Sequence, residues 1–174
     1  MFEIKKYVLT GGPGTGKSSI IEELKKRGEC VIPEAAEEYI KLKQAQGVNE
    51  PWLEDDFQIQ ILKIQIDYER KIPLGVSRVF IDRGLLDGLA YVKMGTWQYK
   101  EIKAESEKIH YAGVFLIDQL GHTKKTEVRR ENEDEALKIG NKIKQIYVDF
   151  GYDLVKIGFG TIEERANRVL DHLS

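Results

Sequence analysis

The sequence predicts an α/β fold in which a doubly wound, parallel sheet of five strands carries helices on both faces. Short apolar runs alternate with longer stretches of helical periodicity along all 174 residues, a pattern typical of parallel strands joined by crossover helices. A glycine-rich run, residues 11–18, stands between the first apolar run and the first amphipathic stretch, as a phosphate-binding loop does. A later apolar run ends in Asp82 and has the form of the acidic strand that accompanies such a loop.

Strands are predicted at the short apolar runs, and helices at the longer stretches between them. The five predicted strands are residues 6–10, 30–33, 78–82, 113–118 and 153–157. The predicted helices are residues 19–27, 34–46, 54–71, 85–94, 100–109, 133–150 and 162–173. No internal repeat or linker interrupts this alternation, so a single domain spanning residues 1–174 is expected.

The helix predicted at residues 54–71 has the longest regular pattern. Its apolar residues recur at i, i+4, i+7 and i+11, as Phe57, Ile61, Ile64 and Tyr68, which predicts one buried face. Asp55 is placed to cap its N-terminus.

Composition excludes several classes of function. Lysine and arginine number 27 against 29 aspartate and glutamate residues, a formal charge of −2, so no global field attracts nucleic acid or an anionic membrane. Cys30 has no partner for an internal disulfide, the first residues lack an apolar signal segment, and no stretch is long enough to span a bilayer. The cytoplasm is therefore the expected location, and neither a membrane nor a nucleic acid is an expected partner.

Residues 11–18 read Gly-Gly-Pro-Gly-Thr-Gly-Lys-Ser and match the full pattern G-x-x-x-x-G-K-[ST]. Glycines let successive backbone N–H groups converge on phosphate oxygens. Lys17 is expected to reach the β- and γ-phosphates, and Ser18 to ligate Mg²⁺. The predicted nucleotide contacts are Gly12, Pro13, Gly14, Thr15, Gly16, Lys17, Ser18 and Ser19. The alternative is a glycine-rich turn that binds nothing.

Asp82 is the predicted second residue on the metal side of the loop, because a buried strand can project one carboxylate beside Mg²⁺. Arg83 follows it, where an ATP-hydrolysing motor usually carries a glutamate that activates water. The pair therefore favours phosphoryl transfer over hydrolysis. In the alternative interpretation, Asp82 caps the helix that follows.

Glu34 follows the second predicted strand and is expected at the same sheet edge as the loop. A carboxylate there can accept the proton of an attacking hydroxyl or orient that hydroxyl. The alternative is an acidic first helical turn that complements the helix dipole, as Glu37 and Glu38 do. On the next helix, an aromatic ring and two amides, those of Phe57, Gln58 and Gln65, are placed to roof an acceptor pocket, although periodicity favours the core for Phe57.

A charged segment at residues 119–132 is predicted to be a lid. It carries Lys124, Lys125, Arg129 and Arg130, and an arginine fork can hold a migrating phosphoryl group while a closed lid excludes water. Arg129 and Arg130 are the candidate catalytic residues. The alternative is a solvated charged loop.

Four segments together resemble a known family: residues 9–18, residues 33–39, residues 81–91 and the pair Arg129-Arg130. They are similar to the small AAA-domain ATP-binding family related to the ribosylnicotinamide kinase domain, and the similarity covers nearly the whole chain. The resemblance implies a nucleoside- or nucleotide-kinase-like P-loop NTPase fold and an ATP ligand. It also supports Lys17 and Ser18 as phosphate and Mg²⁺ contacts, and Asp82 near the metal.

These observations predict a small-molecule kinase. It would bind ATP and Mg²⁺ and transfer the γ-phosphoryl group to a nucleoside-like or other small acceptor, with Lys17, Glu34, Asp82, Arg83, Arg129 and Arg130 as catalytic residues. The alternative is a nucleotide-dependent switch, a regulatory ATPase or GTPase module that acts through a protein partner. The balanced charge and the missing glutamate weigh against a third class, an ATPase that acts on nucleic acid.

Overall fold

The computed structural model describes residues 3–118 and 133–173. In these ranges, five strands alternate with six α-helices, two of which lie between the second and third strands. The strands are β1 (Lys5–Thr10), β2 (Cys30–Ile32), β3 (Arg78–Asp82), β4 (Gly113–Ile117) and β5 (Leu154–Ile157). The α-helices are α1 (Lys17–Lys26), α2 (Ala35–Ala45), α3 (Phe57–Arg70), α4 (Trp97–Ser106), α5 (Glu133–Asp149) and α6 (Ile162–Asp171). Two short 3₁₀ helices, Pro51–Leu53 and Leu85–Ala90, complete the described secondary structure.

All strand pairs are parallel, and the sheet order is β2-β3-β1-β4-β5. Strand β1 lies in the centre, with Leu9 beside Asp82 of β3 and Thr10 beside Leu116 of β4. The carboxyl ends of the strands therefore meet at one edge, where open α/β sheets bind ligands. The predicted fold class is confirmed.

Alternate side chains of the strands enter two separate cores, because successive residues of a strand face opposite sides of the sheet. On β1, Tyr7 and Leu9 pack with α1 and α6, whereas Val8 packs with α3, α5 and the 3₁₀ helix Leu85–Ala90. Covered on both faces, the central strands are mostly buried and carry near-continuous apolar runs, as parallel strands do. Packing on both faces therefore fixes the positions of the residues at the edge of the sheet.

The helix predicted at residues 85–94 is wrong in type and length. A 3₁₀ helix covers only Leu85–Ala90, and nearly all of its side chains are buried, so it has no solvent face of the kind an amphipathic α-helix requires. Asp87 also accepts a hydrogen bond from the backbone of Gly84, a local contact that favours a tight turn over continued α-helix. This short element brings Asp87 under the edge of the sheet.

The buried face of α3 also differs from the predicted stripe. Phe57 is buried as predicted, but the other buried positions include Leu62, Gln65 and Glu69. Because Gln65 and Glu69 are polar but buried, the apolar residues alone do not mark the buried face of α3. The helix begins at Phe57 with Asp56 at the N-cap, so Asp55 does not cap it.

Within the described ranges, no helix is long and apolar enough to cross a membrane.

Candidate active site

The phosphate loop connects β1 to α1 at the carboxyl edge of the sheet. Gly14 and Gly16 adopt left-handed backbone conformations, with φ of 75° and 86°. A side chain on Gly11 would place Cβ 2.7 Å from the Ile117 carbonyl oxygen, so this position requires glycine. The loop leads directly into Lys17, the first residue of α1, and the positive end of the helix dipole faces the loop.

Lys17 is fully buried, with its ammonium group inside the loop. Its Nζ donates to the Gly12 carbonyl oxygen over 2.8 Å and to Oγ1 of Thr15 over 3.1 Å. A bound phosphate would stabilise this cation further, because it would add the attraction of an opposite charge at close range. The loop is therefore arranged to receive an anion.

Asp82 ends β3 beside Ser18, whose Oγ donates to the carboxylate Oδ2 over 2.6 Å. The other oxygen, Oδ1, is buried and has no hydrogen-bond partner among the described residues. Burial and the charge of Glu34 raise the pKa of Asp82 to about 6, although Lys17 and Ser18 act in the opposite direction. A buried carboxylate oxygen with no partner suits a hard cation.

A magnesium ion fits this donor set only with help from the nucleotide. Within residues 3–118 and 133–173, no three His, Cys, Asp or Glu side chains are grouped to hold a metal. Ser18 and Asp82 would supply two oxygen ligands, and phosphate oxygens and water the remainder, as Mg²⁺ usually requires.

Arg83 has an unusual backbone conformation, and its guanidinium donates three hydrogen bonds to described residues. Its φ is 69°, and it is the one non-glycine residue with a left-handed φ in the described part of the chain. Such a conformation costs about 1–3 kcal/mol and persists only where surrounding contacts impose it. Its Nε donates to Oε1 of Glu34 over 3.1 Å, and its Nη1 to the Gly11 carbonyl and to Oδ1 of Asp87.

Glu34 stands at the N-cap of α2 in an extended conformation, and its side chain makes no capping hydrogen bond. The carboxylate instead pairs with Arg83, and the two side chains are 15% and 12% exposed. It is also close enough to Asp82 to raise the pKa of that group. The structure thus brings together Lys17, Ser18, Glu34, Asp82 and Arg83 at one edge of the sheet.

A cavity of about 530 Å³ opens beside the phosphate loop. Its lining includes Pro13, Glu34, Asp82 and Arg83. Phe57, Gln58 and Gln65 of α3 also line it, together with Trp52 and Tyr91. Its volume lies within the ordinary range for a small-molecule pocket.

The opposite side of the phosphate loop contacts α6. Arg165 is 2% exposed and donates to the carbonyl oxygens of Thr15 and Asp118. The turn at residues 158–161 ends in Thr161, whose Oγ1 accepts from the Glu164 N–H and caps α6.

Sequence reasoning missed some residues at this edge and named others that the structure does not describe. Asp87, Tyr147 and Arg165 are buried against the site, yet only Asp87 carries a local signal, its spacing from Arg83. Tyr147 and Arg165 reach the site through tertiary packing, which no local motif records.

Arg129 and Arg130 lie outside the described residues, as does the rest of the predicted lid at residues 119–132.

The chain is similar to known proteins in sequence and in fold. Residues 6–165 match the sequence model of a family described as an AAA domain. Among solved structures, the chain resembles the NadR protein in complex with NR, with a TM-score of 0.76 at 16% identity over 98% of this chain and 50% of that chain. NadR in complex with NAD and AMP-PNP gives a TM-score of 0.73 at 16% identity, over 98% and 48% of the two chains.

A deoxyadenosine kinase from M. mycoides matches over nearly its full length. The structure with the products dCMP and a flexible dCDP bound gives a TM-score of 0.63 at 16% identity, over 97% of both chains. The present chain spans about half the length of the NadR chains it matches. At these identities the likeness to solved structures shows a shared fold, that of P-loop nucleoside kinases. No curated protein matches the sequence.

Proposed function

This chain belongs to the AAA domain family, and from that premise we propose that it is an ATP-dependent kinase for a nucleoside-like or other small metabolite. One observation carries the proposal. The phosphate loop and the 530 Å³ cavity share a wall that contains Glu34, Asp82 and Arg83. A donor on the loop and an acceptor in the cavity would thus meet at these three side chains, which is the positioning that phosphoryl transfer requires.

The donor side would hold Mg·ATP. Backbone N–H groups of residues 11–18 and the Lys17 ammonium would bind the phosphates. Ser18 and Asp82 would hold Mg²⁺, which would offset the negative charge of the phosphates. Arg165, which fixes the Thr15 carbonyl, would keep the loop backbone in register.

The acceptor side would place a hydroxyl between Glu34 and the γ-phosphorus. The hydroxyl oxygen forms a bond to that phosphorus, the bond to the β,γ-bridging oxygen breaks, and ADP leaves with that oxygen. The hydroxyl proton passes to Glu34, while Arg83 offsets the charge that spreads over the equatorial oxygens. Arg129 and Arg130 are proposed to act on the same charge.

Nucleotide turnover with and without an acceptor tests the proposal. ADP release from Mg·ATP is measured alone and with a panel of nucleosides, nucleotides and vitamin-like alcohols, with Lys17→Ala as the blank. Acceleration by one class of acceptor, with a phosphorylated product of the expected mass, is the expected result. If no small molecule stimulates turnover while a protein partner binds only the ATP-loaded form, the kinase proposal is wrong and the switch interpretation replaces it.

A further inference from the structure

Asp87 is a buried carboxylate on which four hydrogen bonds converge. It is 3% exposed, and its Oδ1 accepts from Oγ1 of Thr10 over 2.7 Å and from Nη1 of Arg83 over 3.1 Å. Its Oδ2 accepts from Oη of Tyr147 over 2.6 Å and from the Gly84 N–H over 3.1 Å. These donors come from β1, from helix α5 and from the turn that follows β3.

We propose that Asp87 is a positioning residue that fixes the Arg83 guanidinium between the phosphate loop and Glu34, and that Tyr147 holds Asp87 in place from α5. Asp87 is one turn beyond Arg83. Nη1 of Arg83 donates both to Asp87 and to the Gly11 carbonyl of the loop. This leaves Nε of Arg83 directed at Glu34. Loss of the Asp87 charge would free the Arg83 guanidinium to turn away from the phosphate loop and from Glu34.

The backbone supports this assignment. A left-handed φ at an arginine needs contacts that impose it, and Asp87 supplies two of them. It binds the Arg83 side chain and the Gly84 N–H. The left-handed backbone at Arg83 and the orientation of its guanidinium therefore both depend on the Asp87 carboxylate.

Helix α5 contacts both halves of the site. Its Gly140 lies so close to the phosphate loop that a Cβ there would be 3.2 Å from the Gly12 nitrogen. Two turns further on, Tyr147 is fully buried and reaches Asp87. The position of α5 is thereby tied to the loop and to Arg83 together.

The test measures Arg83 directly and does not depend on catalysis. The Nε–H signal of Arg83 is assigned in ¹⁵N NMR spectra with the Arg83→Lys variant, and its exchange with water is followed in Asp87→Asn and Tyr147→Phe. We expect exchange to accelerate roughly tenfold or more in Asp87→Asn and severalfold in Tyr147→Phe, since exchange reports local opening. Tyr152→Phe is the matched control, because Tyr152 packs on Tyr147 and its hydroxyl accepts from the Tyr111 N–H, away from Asp87.

The proposal is overturned if exchange in Tyr147→Phe and in folded Asp87→Asn equals the wild-type rate. It is also overturned if exchange accelerates equally in Tyr152→Phe. Should Asp87→Asn fail to fold, Tyr147→Phe alone decides. The catalytic consequence rests on the proposed function: Asp87→Asn is expected to lower acceptor-dependent kcat roughly tenfold or more while the KM for ATP stays nearly constant. Accelerated exchange in a protein that no acceptor stimulates would leave the positioning role intact and refute the kinase.

Discussion

The Ser18 hydroxyl donates to the Asp82 carboxylate over 2.6 Å and joins the first turn of α1 to the end of β3. This contact satisfies only one of the two carboxylate oxygens. Within the part of the chain that the structure describes, the buried Oδ1 has no hydrogen-bond partner. A protein that ionises such a group loses stability unless a cation is bound. This pair therefore links the stability of the metal-free protein to its proposed magnesium site.

Asp82→Asn is expected to stabilise the metal-free protein at neutral pH. The pKa of Asp82 is raised from 3.8 to about 6 by folding, so the folded protein binds this proton more tightly than the unfolded chain does. The cost of ionisation is absent below about pH 4, grows as pH rises, and is complete above about pH 6. In EDTA, urea unfolding at pH 7.5 should show the variant more stable by about 1–3 kcal/mol, and the difference should shrink toward pH 4.5.

Asp118→Asn is the matched control, because Asp118 directly follows β4 at the same sheet edge and pairs only with the exposed Lys156 among the described residues. Its stability change should stay within about 0.5 kcal/mol at both pH values. Asp82→Asn should also abolish the Mg²⁺-dependent part of nucleotide affinity. A variant that is less stable than wild type by the same amount at both pH values would contradict the prediction.

Glu34→Gln tests the proposed base. Gln keeps the shape of the side chain and a carbonyl acceptor for Nε of Arg83, but it cannot take a proton from the acceptor hydroxyl. ATP affinity should stay nearly constant, whereas acceptor-dependent turnover should fall roughly 10²-fold or more. Glu38→Gln, an exposed position on the same helix, is the control and should leave both quantities unchanged. Unchanged turnover in Glu34→Gln removes Glu34 from the mechanism.

Much of this site was predictable because its residues stand at fixed places in a repeating fold. Glycines and Lys17 follow β1, and Asp82 ends β3, so parallel pairing alone brings them to one edge. The hydrogen bonds that complete the site were not predictable in the same way. Tyr147 reaches Asp87 across 60 residues, and such a pair depends on how α5 packs.

Burial of polar residues explains the remaining errors. A periodicity search treats apolar residues as the buried ones, and it therefore assigned α3 a stripe that excludes Gln65 and Glu69, although both are buried. The same search extended the element at Leu85–Ala90 into a helix, since it cannot foresee that Asp87 is satisfied internally.

Gly84→Ala should damage the contact between Tyr147 and Asp87 through crowding. A Cβ on Gly84 would lie 2.6 Å from Oη of Tyr147 and 2.9 Å from Cε2 of Tyr111, distances at which the rings must move. Crowding of this kind costs about 1–3 kcal/mol, to be measured as a lower urea midpoint with an unchanged m value. Gly88→Ala is the control, because its nearest contact would be an ordinary 3.4 Å.

A double variant shows whether the Tyr147 hydroxyl causes the damage. Tyr147→Phe removes the atom nearest to the added methyl group, so the combined variant should be less destabilised than the sum of the single changes. Additive effects would place the strain on Tyr111 instead.

Glu69→Gln is expected to weaken the wall beneath the cavity. The Glu69 side chain is 2% exposed, and its Oε2 accepts from Nζ of Lys6 over 2.9 Å. Its Oε1 accepts from Oη of Tyr111 and from Nε2 of Gln65, both over 3.1 Å. Glutamine offers one acceptor oxygen where three donors converge, and it leaves Lys6 without its counter-ion. The free energy of unfolding should fall by about 2–4 kcal/mol. This is slightly less than breaking a fully buried ion pair usually costs, because the Lys6 side chain is 23% exposed.

Asp67→Asn, on the same helix, provides the comparison for Glu69. Asp67 pairs with Lys71 one turn away, and both side chains are more than half exposed, so the change in the free energy of unfolding should stay below about 0.5 kcal/mol. The Tyr111 hydroxyl that donates to Glu69 also accepts from the Leu85 N–H at the start of the 3₁₀ helix. Hydrogen exchange at Leu85 should therefore accelerate in Glu69→Gln and not in Asp67→Asn. Equal stability of the two variants would mean that the buried carboxylate contributes no more than a surface ion pair.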